Sequence, residues 1–172
     1  MNDPKKKDYI KAQPVMREGD ERFMREALRY AGFAYRRGEV PVGAVIVRDG
    51  EIIAHGYNRR ESGKNALFHA EITAIDRACK KLDGWRLSGC DMYVTLEPCP
   101  MCAGAIINAR IENLYFGAPD LKAGCFGSVT DMSLMPFNFK PFVHKGMMRE
   151  ECTAALKEFF KDLRKRRDQK CH

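Results

Sequence analysis

An α/β sandwich with a central mixed sheet is the fold this sequence predicts. Three observations carry the prediction. Val42-Gly43-Ala44-Val45-Ile46-Val47 is an unbroken apolar run joined through Asp49-Gly50 to a second strand-like run, so the sheet begins with a hairpin. After the hairpin the pattern alternates between period 3.6 and short strands, as expected when helices cover a sheet. Amphipathic helical patterns also stand at both ends of that region. With 172 residues, 45% of them hydrophobic and 31% charged, the chain suits one domain with a full core and shows no internal repeat.

Residues 1–19 are polar, lysine-rich and aperiodic, and are expected to form a flexible leader. Asp20 caps a helix to about Arg37, with Phe23, Ala27, Tyr30, Ala31 and Ala34 on one face and Gly38 ending it. The hairpin follows, its second strand being Glu51-Ile52-Ile53-Ala54-His55-Gly56-Tyr57, in which His55 reads as a bystander. A polar loop over 58–65 leads to a helix from about His69 to Leu82, with Ile72, Ile75, Ala78, Cys79 and Leu82 on its apolar side. Trp85-Arg86-Leu87 turns the chain into the strand Asp91-Met92-Tyr93-Val94-Thr95-Leu96. A helix with Pro100 at its first position comes next, then the strand Leu114-Tyr115-Phe116-Gly117.

Residues 118–132 and 135–143 give no clear pattern. The final helix runs from about Arg149 to Arg167, with Cys152, Leu156, Phe159, Phe160 and Leu163 in one stripe. The domain is therefore expected over 20–167, with a tail at 168–172.

No apolar run reaches the roughly 18–20 residues that span a bilayer. The first residues carry lysines but no apolar stretch after them, so no secretory signal is read and a soluble cytoplasmic protein is expected. The seven cysteines, odd in number, are then expected as free thiols or metal ligands rather than a disulfide framework. Between 161 and 172 six Lys or Arg stand against two Asp. That basic end fits a phosphate-rich partner, and it fits equally a solvated helix terminus whose cations face the negative pole of the dipole.

The chemistry concentrates in Pro98-Cys99-Pro100-Met101-Cys102, read with His69-Ala70-Glu71. Cys99 falls at a helix N-cap and Cys102 one turn along, where the helix terminus favours thiolate. A Cys-x-x-Cys pair alone could be a redox couple or half of a structural zinc site. His69 supplies a third ligand, no second close pair exists to complete a structural site, and three protein ligands leave a zinc position open to water. Two thiolates and a neutral imidazole cancel the charge of Zn²⁺. Such a metal acidifies its water less than a three-histidine site does, and Glu71 then becomes the base that moves the proton.

These residues resemble those of the zinc-dependent nucleoside and nucleobase deaminases, whose His-x-Glu and Pro-Cys-x-x-Cys signature matches here. The resemblance is closer to the bacterial tRNA-specific adenosine deaminases. It extends through Glu39-Val40-Pro41-Val42-Gly43-Ala44, Gly56-Tyr57-Asn58-Arg59, Phe116-Gly117-Ala118-Pro119-Asp120, the 124–128 loop and Phe159-Phe160.

It implies a three-layer, cytidine-deaminase-like α/β/α sandwich with five strands, a homodimer, and one zinc ion per subunit held by His69, Cys99 and Cys102. It further implies hydrolytic deamination of adenosine to inosine at the wobble position of a tRNA anticodon. The water attacks C6 of a flipped-out adenine while Glu71 moves the proton. Asn58 would grip the nucleoside and Val42 and Ala70 would wall the pocket. Asp120, Lys122, Phe159, Phe160 and Arg164 would meet the anticodon stem-loop. Asn138-Phe139-Lys140 departs from the family's usual Asn-His in that place. The same His/Glu/Cys/Cys set serves guanine and cytidine deaminases, which act on free bases or nucleosides, so it defines the reaction class and leaves the substrate to the other motifs. An RNA-binding module with a structural zinc is the non-enzymatic alternative, in which Glu71 would be idle.

Overall fold

The computed structural model describes residues 17–170. Five strands form one sheet in the order β2-β1-β3-β4-β5: β1 (Gly43–Arg48), β2 (Glu51–Tyr57), β3 (Cys90–Leu96), β4 (Asn113–Ala118) and β5 (Phe142–Lys145). β1 pairs antiparallel with both β2 and β3, whereas β3–β4 and β4–β5 are parallel, so the sheet is mixed. Five helices accompany it: α1 (Glu21–Arg36), the single-turn α2 (Arg60–Gly63), α3 (Ala70–Lys81), α4 (Pro100–Ala109) and α5 (Arg149–Lys170).

Two cores lie on opposite faces of the sheet. Ala70, Ala74 and Ala78 of α3 and Ala103 and Ile106 of α4 pack on Ala44, Ile46, Met92, Val94 and Leu114. Phe23, Met24 and Ala27 of α1 and Cys152 of α5 pack on Val45, Val47, Tyr93 and Tyr115. The alternation along β1 thus sends Ile46 to one layer and Val45 and Val47 to the other, which is why its sequence is apolar throughout.

Local chemistry accounts for the boundaries. The Asp20 carboxylate accepts from Arg22 N–H at 2.8 Å and caps α1. Asp49 and Gly50 both have positive φ, 52° and 77°, as a two-residue type I′ turn requires. Gly56 allows α3 to lie against β2, since a Cβ there would come within 2.0 Å of the Ala70 carbonyl oxygen. That close approach sets the start of α3, and with it His69 at its N-cap.

Three features differ from the sequence expectation. β5 begins within the 135–143 stretch that gives no pattern and runs two residues past it, because a four-residue edge strand carries too few alternations to be seen. α5 continues to Lys170, beyond the expected domain limit at 167. Residues 1–16 of the expected leader, and 171–172 of the tail, lie outside the described residues, but Arg17–Gly19 do not form a free segment. Arg17 bonds Asp91 and Glu112, and its carbonyl accepts from the Tyr115 hydroxyl at 2.5 Å. Among the described residues no helix is long and apolar enough to cross a membrane.

Candidate active site

The C-terminal end of β3 and the N-termini of α3 and α4 converge on one point. His69 is the N-cap of α3 and Cys99 the N-cap of α4, with Pro100 following at the first helical position. Cys102 lies one turn into α4 and is fully buried. The His69 Nδ1 atom stands 3.7 Å from Cys99 Sγ and 3.5 Å from Cys102 Sγ. Tetrahedral zinc with ordinary Zn–N and Zn–S bonds would place such atoms about 3.6 Å apart. The donor set and its spacing therefore fit a zinc ion, and all three atoms lie within 4.8 Å of one another.

The two sulfurs behave as a pair sharing one negative charge. The hydrogen bond from Cys102 holds the Cys99 thiol down to about 4, and His69 adds to that effect. The Cys102 thiol is pushed up in return, by the same partner and by burial. Cys99, acting as hydrogen-bond partner, raises the His69 imidazole above its ordinary value. These shifts favour the ligating form at Cys99 alone; a borderline-soft divalent cation takes thiolates and neutral imidazole, so its binding would displace the protons favoured at Cys102 and His69.

Glu71, in the first turn of α3, is 4% exposed, and burial raises its carboxyl above the ordinary range. Its Oε2 is buried without a hydrogen-bond partner among the described residues. A buried carboxyl oxygen without a protein partner beside a cluster of ligand atoms is placed to exchange a proton with something bound there.

A cavity of about 420 Å³ opens beside this cluster, within the range of small-molecule sites. His69, Glu71 and Cys99 form its floor; Val40, Val42 and Asn58 form one wall; Leu121, Lys122 and Ala123 form another. Leu156 and Phe160 of α5 close a further side. Asn58 is 7% exposed, and its Oδ1 accepts from Ala70 N–H at 3.1 Å, so the group it has left to offer a ligand is its NH₂.

The sequence-derived residues thus separate. His69, Glu71, Cys99, Asn58, Val42, Asp120, Lys122 and Phe160 line the cavity, and Cys102 lies just beneath it. Ala70 does not line it: its methyl is wholly buried and its N–H orients Asn58. Phe159 is 7% exposed and packs edge-on against Tyr35 at 5.7 Å, so it belongs to the α1–α5 contact instead of the cavity. Arg164 is exposed and outside the lining. The Asp120 side chain is engaged in its own loop, its Oδ1 accepting from Lys122 and Ala123 N–H. Phe139 lies beneath the Arg110 guanidinium at 5.2 Å, and Arg110 also donates to Asn138 at 3.0 Å, which pins that segment to the end of α4.

Two buried carboxylates that hold neighbouring loops escape the sequence patterns. Glu39 accepts from Glu61 and Ser62 N–H, fixing α2 and Arg60 at the cavity edge. Glu97 accepts from Asp120, Phe126 and Ser128. The available signal was an acidic residue set directly against a strand end and a proline, at Leu96-Glu97-Pro98.

Comparison with known proteins gives a consistent result. The model of the MafB19-like deaminase family matches residues 18–164. A tRNA-specific adenosine deaminase of Bacillus subtilis (strain 168) is 49% identical over 151 residues, covering 86% of this chain and 92% of that protein. A structure solved in a study of A-to-I editing by tRNA:A34 deaminases at the wobble position of transfer RNA is 44% identical. Its TM-score is 0.77, over 80% of this chain and 100% of that one. A guanine deaminase from Nitrosomonas europaea is 25% identical with a TM-score of 0.69, over 86% of this chain and 87% of its own.

Proposed function

The chain belongs to the family of tRNA-specific adenosine deaminases, and on that premise we propose that it hydrolyses the adenosine at the wobble position of a tRNA anticodon to inosine and ammonia. It does so as a cytoplasmic homodimer with one zinc ion per subunit. The single observation that carries the chemistry is the buried Oε2 of Glu71, unpaired by any described protein group, beside the His69/Cys99/Cys102 cluster at the floor of the cavity.

His69, Cys99 and Cys102 would hold the zinc ion, which would supply Lewis acidity toward the attacking water. Glu71 accepts one proton of the attacking water and passes it to N1 of the adenine; it then takes the remaining hydroxyl proton and delivers it to the amine, which leaves as ammonia. Burial suits Glu71 to this exchange, because a carboxylate with a raised proton affinity both accepts and returns a proton. The Asn58 NH₂ hydrogen-bonds the nucleoside, and Val42 packs on its apolar surface. Phe160, 42% exposed at the rim, offers its face to a neighbouring base. Lys122 from the cavity wall and Arg164 from outside the lining serve as phosphate contacts.

The experiment is direct. The purified protein is incubated with an anticodon stem-loop bearing A34, and separately with free adenosine, guanine and cytidine, while inosine and ammonia are followed. Inosine in the stem-loop alone is expected, together with one equivalent of zinc per chain and loss of activity on chelation. Turnover of guanine or cytidine with an inert stem-loop would overturn the RNA substrate and favour a free-base enzyme like the Nitrosomonas relative.

A further inference from the structure

Glu97 takes no part in the proton transfers above, yet its carboxylate is 2% exposed and accepts four hydrogen bonds from a single loop. Oε1 accepts from Phe126 N–H at 2.9 Å and from Ser128 N–H at 3.1 Å. Oε2 accepts from Asp120 N–H at 3.1 Å and from the Ser128 hydroxyl. A buried carboxylate satisfied by backbone N–H groups fixes their positions, since each loses a partner if the loop shifts.

The loop held in this way forms a wall of the cavity. Asp120 Oδ1 accepts from Lys122 and Ala123 N–H, and Gly124 N–H donates to the Asp120 carbonyl at 2.8 Å, so 120–124 is a closed turn. Leu121, Lys122 and Ala123 face the cavity from that turn. The turn rests on Glu97, which itself reaches the cavity lining: a Cβ at Gly124 would come within 2.4 Å of the carboxyl carbon. Cys125 N–H, bonded to the Pro98 carbonyl at 3.0 Å, secures the end of the turn, and Asp120 N–H, bonded to Glu97, secures its start. Leu121 is 79% exposed, so apolar packing does little to hold the outer half in place.

We propose that Glu97 is a positioning residue that sets the 120–124 turn as the specificity wall of the cavity, acting on substrate selection separately from the proton transfers of Glu71. The substrate part of this inference rests on the deaminase function proposed above. The same residue lies two positions before Cys99, so the wall is indexed to the floor of the site through a rigid Glu97-Pro98-Cys99 link.

Glutamine is the discriminating substitution. With its oxygen toward Phe126 and Ser128 N–H it keeps those two bonds, and the Ser128 hydroxyl can reverse to accept from the new NH₂. Asp120 N–H then meets an NH₂ group and loses its acceptor. Glu97→Gln therefore releases the start of the turn and leaves the rest of the loop seated.

The test uses the full-length, zinc-loaded protein. Amide hydrogen exchange at 120–123 should speed up by about tenfold or more in Glu97→Gln, with zinc content unchanged. On an anticodon stem-loop bearing A34, KM should rise by about tenfold while kcat stays within about threefold. Ser128→Ala, which removes one donor from an accessible loop and keeps the fold, should move both readouts in the same direction by about threefold. Unchanged exchange and unchanged KM would overturn the proposal. Loss of zinc, or a fall in kcat at constant KM, would overturn it in favour of support for the metal ligands. The exchange measurement needs no substrate, so it decides the role of Glu97 in the loop even if the wild-type protein makes no inosine.

Discussion

Arg17 and Asp91 meet across 74 positions of sequence through three hydrogen bonds, at 3.1 and 3.0 Å from Nε and 2.7 Å from Nη2. Nη2 also bonds Glu112 at 3.0 Å, and Asn113 Nδ2 donates to Asp91 at 2.9 Å. The contact fastens the chain ahead of α1 to the starts of β3 and β4, at the end of those strands remote from the cavity. Arg17→Ala leaves two buried carboxylates without their cation. A destabilisation of about 2–3 kcal/mol is expected, less than the roughly 3–5 kcal/mol of a fully buried broken pair because Arg17 is itself part-exposed. Urea unfolding checks this, with inosine formation in the folded variant close to wild type.

Acid sensitivity should arise partly from the same end of the sheet. His144 stacks on Tyr115 at 4.3 Å, and its Nε2 lies 3.2 Å from Asn113 Oδ1. Burial lowers its pKa below the ordinary 6.5, although Asp91 pulls the other way. Below pH 6.5 the unfolded chain binds this proton before the folded one does, so stability is fully present above that range and declines as pH falls toward the folded value. His55, stacked on Tyr30 and lowered by burial, adds a slope of the same sign. His144→Phe keeps the stack and removes one titration. Its urea midpoint should fall less steeply than wild type as pH is lowered below 6.5.

Glu71→Gln tests the chemistry without a change of shape. The amide keeps the volume and cannot carry the proton, so kcat should drop by roughly 10²–10⁴-fold while zinc content and stem-loop affinity hold. Single-turnover inosine formation measures the first, and metal analysis with a binding titration measures the others. Normal turnover would assign the proton transfer to another group.

The adjacent phenylalanines of α5 should divide into two phenotypes. Phe159→Ala removes a buried ring packed on Tyr35 and should cost about 3 kcal/mol in unfolding free energy. Phe160→Ala alters a ring that is 42% exposed at the cavity rim and should leave stability nearly unchanged. Loss of one stacked base there would weaken stem-loop binding by about 1–3 kcal/mol. Thermal melts and a fluorescence binding titration separate the two.

That division also shows where the sequence was legible. His69, Glu71, Cys99 and Cys102 could be read because ligand chemistry and helix-start spacing restrict what such residues do together. The stripe from Cys152 to Leu163 could be read as one helical face, but its depth could not. Cys152 and Phe159 are buried, whereas Phe160 and Leu163 are each 42% exposed. Arg17 gave no signal, because one arginine in a polar stretch has no period and its partners stand far along the chain. Ala70 read as pocket wall because it lies between two site residues, yet in the first turn of α3 its side chain turns toward the sheet. Glu97 and Glu39 were only weakly marked for a related reason: most of their partners are backbone N–H groups, which no residue type announces.

The separation of the donor atoms along the chain has a kinetic consequence. His69 and Cys99 stand 30 positions apart, on helices whose places depend on β1 and β2 for α3 and on the parallel β3–β4 crossover for α4. Parallel pairing closes long loops and is slow to form. The three-donor arrangement can therefore exist only late in folding, after the sheet has joined both helices. Before then a nascent chain presents Cys99 and Cys102 as a bare dithiol, open to oxidation or to a mismatched metal. Docking of α3 beside the β3–α4–β4 unit is the event that brings His69 to the two thiols.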